Sequence, residues 1–150
     1  RGIEDSRDNL INLGNNLREK YGASCLAKKI NETINKKILN DKEIFSERKN
    51  FFVVDSIRSP FEAKELMKNK GFILVGIEAP VELRFQRLLK RNRFGDAKTL
   101  KEFKQQEQKE NLKNDANQQL DETLKLADKS IVNDGSLEEL HRKIDELLKI

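Results

Sequence analysis

Cysteine and histidine occur once each, as Cys25 and His141, and tryptophan is absent. A single thiol excludes an internal disulfide framework and a cysteine-built zinc site, and a single imidazole excludes a multi-histidine metal centre. Catalysis therefore has to run on carboxylates, arginines, lysines and backbone groups. No Gly/Ser-rich linker divides the 150 residues, and they hold no internal repeat or low-complexity tract. No apolar run approaches the roughly 20 residues of a membrane span, and no signal peptide opens the chain, which begins with Arg1; a cytoplasmic protein with no membrane partner is expected.

Charge is what the sequence has in excess. Asp, Glu, Lys and Arg make up 37% of it, against a usual share of about 25%. The 30 basic residues nearly cancel the 26 acidic ones, leaving a net charge of +4. That describes a heavily solvated surface rather than a polycation. Without interleaved aromatics or a recognisable binding motif, no nucleic-acid partner is expected. The length suits one domain, residues 1–150, able to bury roughly 70% of its unfolded surface.

Apolar residues recur at helical spacing over the first forty positions, in the stripes Leu10, Leu13, Leu17, Tyr21 and Leu26, Ile30, Ile34, Ile38. Two helices separated by Gly22, the second capped by Ser24, are the simplest reading. Residues 40–50 are polar and read as a loop. Phe51 to Val54 is continuously apolar, as suits a strand buried on both faces of a parallel sheet. Ser59-Pro60-Phe61-Glu62 then combines a capping serine, proline at the first helical position and a glutamate placed for a capping box, predicting a helix to about Gly71. Phe72–Ile77 reads as a second strand and Pro80 starts another helix. Thr99 with Glu102 caps a long polar helix to about Ala127, Ser130–Val132 is a third strand, and Ser136 with Glu139 caps a final helix. Strands alternating with helices predict an α/β fold with a mostly parallel sheet in a three-layer sandwich.

Ligands of open parallel sheets bind beyond the carboxyl ends of the strands, which directs attention to Asp55 and Arg58. A carboxylate ending a strand can hold Mg²⁺ or accept a proton from an attacking hydroxyl, and an arginine can take a phosphate bidentately. Alternatively Asp55 satisfies loop amides and Arg58 pairs with Glu62. The helix beginning at Pro80 carries Arg84, Arg87, Lys90, Arg91 and Arg93 with no acid between 84 and 93. Arg84, Arg87 and Arg91 fall within roughly 60° of one another around its axis. Such a stripe suits polyphosphate, because phosphoryl transfer is mostly positioning and neutralisation of charge; the alternative is a solvated face paired with the acids of 101–110. Asn133-Asp134-Gly135 follows the third strand and allows a flat ring to approach backbone amides, or is simply a turn. Arg7 and Arg18, with Gly14 between them, either line a phosphate site or are exposed helix residues. His141, Cys25 and Tyr21 read as structural.

Taken in order, Leu13-Gly14-Asn15 through Leu17-Arg18 to Gly22, Val54-Asp55-Ser56-Ile57-Arg58-Ser59-Pro60, Ala79-Pro80 with Arg84 and Arg87, Arg91 to Asp96, and Ala127-Asp128 before Asn133-Asp134-Gly135-Ser136-Leu137 resemble the P-loop nucleoside-monophosphate kinases. Within that class they are most similar to the dephospho-CoA kinase-like group. The resemblance implies ATP-dependent phosphoryl transfer, with ATP and Mg²⁺ as cofactors and a nucleotide or nucleotide-containing metabolite as the small-molecule substrate. It implies Asp55 near metal and acceptor hydroxyl, and Arg7, Arg18 and Arg58 on the acceptor side. Arg84, Arg87 and Arg91 would act on the transferring phosphoryl group from a lid over 80–115, and Asn133, Asp134 and Gly135 would lie against the adenine. The same architecture is similar to the domain fused to some deoxycytidylate deaminases, which implies the alternative of a non-catalytic regulatory nucleotide-binding domain.

One element of that family is missing. No GxxxxGK[ST] pattern exists in the sequence, so no loop of backbone amides is there to cradle the ATP phosphates. In the family sheet the strand leading to that loop lies between the strands expected at 51–56 and 72–77. The expectation is therefore a P-loop NTPase fold lacking its first strand and P-loop, with Arg1 not the native start.

Overall fold

Gly22 breaks the first helical stretch where the sequence places the break. Its φ of +93° continues the chain past helix α1 (Arg7–Tyr21) with the Gly22 amide donating to Arg18 O at 2.8 Å, and α2 (Cys25–Asn40) follows directly. The computed structural model describes residues 7–40, 52–93, 95–111 and 119–148. After α2 come α3 (Pro60–Leu66), β1 (Val75–Glu78), α4 (Val81–Arg91), α5 (Leu100–Glu110), α6 (Leu120–Leu124), β2 (Lys129–Val132) and α7 (Leu137–Leu148). The protein is a mixed helix and strand fold around a small parallel sheet: β1 pairs with β2 in the register Val75 to Lys129 through Glu78 to Val132. Among the described residues no helix is long and apolar enough to cross a membrane.

Helices α1, α2 and α3 pack in sequence, α2 lying against both neighbours, and α3 also meets α6. The side-chain amide of Asn69 fastens the turn after α3 to α2, donating to Asn31 Oδ1 at 2.9 Å and to Leu66 O at 2.8 Å. Ala63 and Leu66 are almost fully enclosed at this junction. A separate small core joins α4 to α5: Leu88, Ala97 and Phe103 are buried with Val81, Phe85 and Leu100 around them, and the Phe85 and Phe103 rings lie 5.8 Å apart. Below the sheet, Gly76 lets β1 approach α6 closely. A Cβ there would lie 3.0 Å from Leu124 Cδ2 and 3.3 Å from Ala127 Cβ.

Several sequence expectations are corrected. Residues 52–58 form no strand, and Phe51 lies outside the described residues. A strand needs a neighbour to satisfy its amides and carbonyls; β1 and β2 pair with each other, and Val53 is 91% exposed. The expected 72–77 strand begins only at Val75, because Leu74 is held at the sheet margin by its amide donating to Asp128 Oδ2 at 2.8 Å. The helix expected to reach Gly71 ends at Leu66, after which Lys68 and Asn69 donate three residues back in a tightening turn and Gly71 takes φ +81°. The long helix expected over 99–127 is α5 and α6, with 112–118 outside the described residues; of the loop expected over 40–50, Asn40 is the last residue of α2 and 41–50 lie outside the described residues. The stripe Leu10, Leu13 and Tyr21 of α1 is exposed rather than packed.

Local capping signals fare differently at the two places where they are strongest. At α5, Thr99 Oγ1 accepts from the Glu102 amide at 3.2 Å and the Glu102 carboxylate accepts from the Thr99 amide at 3.1 Å, the reciprocal pair the sequence spells. The Lys98 amide, which donates to the same carboxylate at 3.0 Å, and the Thr99 amide hold the Glu102 carboxyl below its usual range. At α3, Ser59 makes no side-chain capping bond. Its partner Glu62 is committed elsewhere.

Candidate functional site

Glu62 points into the interior, where its Oε1 accepts from Arg18 Nε at 2.9 Å and lies 2.9 Å from Nη2. The pair is buried, Arg18 at 7% and Glu62 at 5% exposure, and joins α1 to α3. It forms part of the wall of a cleft of about 520 Å³ bounded by α2, by residues 52–57 and by the start of α3. Leu26, Ile30, Ile34, Phe52 and Val54 are among its apolar lining; Asp55, Ser56, Lys29 and Thr33 supply its other polar groups. Ser56 adopts φ +60°, a left-handed conformation rarely taken by residues other than glycine, which turns the chain immediately after Asp55.

Arg18 and Asp55 thus both line this cleft. Arg58 is not part of that wall; its carbonyl accepts from the Gln119 amide at 2.8 Å, tying the segment before α3 to the start of α6. The sequence offers Arg58 as an alternative partner for Glu62; the buried carboxylate takes Arg18. Arg7 is the first residue of α1, and its side chain lies outside the described residues. Lys29 and Thr33, one helical turn apart on α2, were missed by sequence reasoning. No local signal separates Lys29 from the many other lysines of the chain, and none marks Thr33. The Cys25 thiol donates to Leu17 O at 3.4 Å, a packing role across the α1–α2 junction.

The arginine stripe of α4 divides among three partners. Arg84 donates to Ala79 O at 2.9 Å, pairs with Glu107 of α5 and lies over the Phe103 ring, its Cζ 5.8 Å from the centroid. Arg91 Nη2 reaches both carboxylate oxygens of Asp96 at 3.0 Å and so closes the loop after α4. Arg87 instead crosses to the turn after β2: Nη1 donates to Asn133 O at 3.0 Å, and Nη2 to Asn133 Oδ1 and Gly135 O, each at 3.2 Å. Through Arg87 the α4 stripe is hydrogen-bonded to the 133–135 turn, a separate candidate in the sequence. Asp134 faces α7, where Lys143 Nζ donates to its Oδ1 at 3.0 Å and holds its carboxyl below the usual range. Lys143 is raised in return by Asp134 and by Glu139.

Among the described residues no three His, Cys, Asp or Glu side chains gather into a metal-holding group. Asp55 is a single carboxylate beside Ser56. That donor set fits a magnesium ion carried in by nucleotide phosphates, which keeps several waters and takes one or two protein carboxylates; it does not fit a resident all-protein metal cage.

A small parallel sheet with helices, a largely apolar cleft that holds an Arg18–Glu62 pair and Asp55, and an arginine-bound turn define a mixed α/β protein with two candidate ligand regions. The chain belongs to the UPF0200 family. It is 30% identical to a UPF0200 protein of Pyrococcus horikoshii, covering 99% of this chain and 74% of that protein, and 32% identical to one of Hyperthermus butylicus, covering 99% and 72%. It is 33% identical to a UPF0200/UPF0201 protein of Archaeoglobus fulgidus, of which it spans only 42%. No family model and no solved structure matches the chain.

Proposed function

We propose that this chain contains the acceptor cleft and lid of an ATP-dependent phosphotransferase of the P-loop nucleotide-kinase type, acting on a nucleotide or a nucleotide-containing metabolite. The observation that carries the reading is the shared cleft of Arg18 and Asp55, which combines a guanidinium for an anionic group with an exposed carboxylate for a hydroxyl. In the proposed step an acceptor oxygen attacks the γ-phosphorus of ATP. The bond to the bridging β-oxygen breaks and ADP leaves, while Asp55 takes the acceptor's proton or orients the attacking oxygen. The Asn133–Gly135 turn lies against the base of ATP, with Arg87 reaching it from the lid.

On the same reading the complete fold is a three-layer sandwich in which a further strand, leading into a phosphate-binding loop, lies beside β1. Support comes from β1, which among the described residues has a pairing neighbour on one edge only, and from the greater length of the relatives. ATP with Mg²⁺ and a panel of nucleoside monophosphates and dephospho-CoA, assayed for acceptor-dependent ADP release with the full-length protein, tests the function. Release with at least one acceptor is expected; neither release nor ATP binding across the panel overturns the reading.

A second reading, a regulatory nucleotide-binding domain, rests on the engagement of Arg84, Arg87 and Arg91 by protein partners. Nucleotide binding without turnover in the same assay selects it.

A further inference from the structure

Glu62 occupies the third position of α3, where a capping-box glutamate would return to the Ser59 amide, yet its carboxylate holds Arg18 across 44 residues of sequence. A buried ion pair is a poor device for stability alone, since packed apolar groups in the same volume are often equally or more stabilising. Its geometry is better suited to aiming a guanidinium. One carboxylate oxygen takes both Nε and Nη2, which fixes the plane of the group. The third nitrogen, Nη1, reaches Asn15 Oδ1 at 3.4 Å, the longest bond of the set. Gly14 preserves the space around it, because a Cβ at that position would stand 3.2 Å from Nη1. Both Arg18 and Glu62 line the cleft that also holds Asp55.

We infer that Glu62 is a positioning residue: it locks Arg18 so that Nη1 receives an oxygen of a phosphate monoester whose body rests on Leu26, Ile30, Ile34 and Phe52. The inference rests on the proposed acceptor cleft but not on ATP turnover. The apolar walls select a monoester on a flat or aliphatic body over a bare sugar phosphate, since burial of apolar surface then adds to the charge-assisted bond.

The test measures binding of AMP, adenosine and inorganic phosphate to the full-length protein by calorimetry, for the native chain, Glu62→Gln, Glu62→Asp and the double variant Arg18→Met/Glu62→Leu. The native protein is expected to prefer AMP to adenosine. Glu62→Gln should weaken AMP and phosphate about tenfold or more while leaving adenosine unchanged, and Glu62→Asp should restore part of the loss. The double variant leaves no buried charge unpaired; it should melt near the native temperature and lose the preference for AMP. A merely structural strut would move melting temperature without moving the AMP-to-adenosine ratio. Native-like AMP affinity in Glu62→Gln, or a double variant that still prefers AMP, overturns the inference, as does a native protein that binds neither AMP nor phosphate. Should Glu62→Gln fail to fold, the double variant decides by the same ratio. Absence of ADP release with an intact AMP preference would sink the phosphotransferase reading alone.

Discussion

Arg87 and Asn133, 46 residues apart, are joined twice: Nη1 donates to the Asn133 carbonyl at 3.0 Å and Nη2 to its side-chain oxygen at 3.2 Å. A third bond from Nη2 to Gly135 O completes a clamp between α4 and the turn after β2. The orientation of α4 and the shape of that turn therefore depend on each other, and anything that reshapes the turn is felt by the helix carrying Arg84 and Arg91.

Replacing Arg87 with alanine tests this coupling. The side chain is exposed, so the loss in folding free energy should be about 1 kcal/mol or less. Affinity for ATP should fall about tenfold if the turn receives the base. Urea titration and nucleotide binding on one preparation read both; a large loss of stability with unchanged nucleotide affinity would show that the clamp serves folding only.

Asp55→Asn removes a carboxylate from an exposed position and keeps its size. Stability should change by about 0.5 kcal/mol or less, whereas kcat should drop by about 10² through loss of the proton acceptor or of acceptor orientation. Steady-state kinetics with the best acceptor of the panel decides. Unchanged kcat removes Asp55 from the proposed chemistry.

The pH dependence of stability follows from the shifted groups. Hydrogen bonds from Lys143 to Asp134 and from the amides of residues 98 and 99 to Glu102 lower those carboxyls below their unfolded values. Their contribution is thus present above the unfolded pKa and is lost as pH falls through the folded one. Lys125 and Lys143 are raised above 10.5 by their carboxylate partners, so theirs is complete below that value and is lost as pH rises through the folded pKa. Melting temperature should form a plateau that falls away in acid and in alkali, and Asp134→Asn should flatten part of the acid limb. An acid limb identical to the native one would mean that the Lys143 contact does not persist in solution.

Gly76→Val places a branched side chain where even a Cβ would stand 3.0 Å from Leu124 Cδ2. Destabilisation of about 1 to 3 kcal/mol is expected from overpacking at β1. Thermal denaturation measures it, and a neutral result would mean that α6 moves away from the sheet at little cost.

What was legible in the sequence was local. Gly22 marks the end of α1, and Thr99 with Glu102 spells the cap of α5, each through contacts a few residues long. The Ser59 and Glu62 positions spell the same cap and do not make it, because a buried guanidinium 44 residues away competes for the carboxylate. Phe52 to Val54 has the composition of a buried strand and forms none, because ladder bonds come from a neighbouring strand and not from the segment itself. Ser56 had no glycine to announce its positive φ, and Lys29 and Thr33 look like any solvated helix pair until the fold places them in the lining of the cleft.

By itself the sequence determined the mixed α/β character and the abundance of charged residues of both signs. Composition, helical period and cap spacing are properties of neighbouring residues. Only the tertiary structure decided which of those charges meet: Arg18 with Glu62 beside Asp55, Arg87 with the Asn133 turn, Arg84 and Arg91 with Glu107 and Asp96. A carboxylate is open to many basic partners along a chain so rich in them, and its choice is made by burial and approach geometry, which exist only once helices distant in sequence have packed.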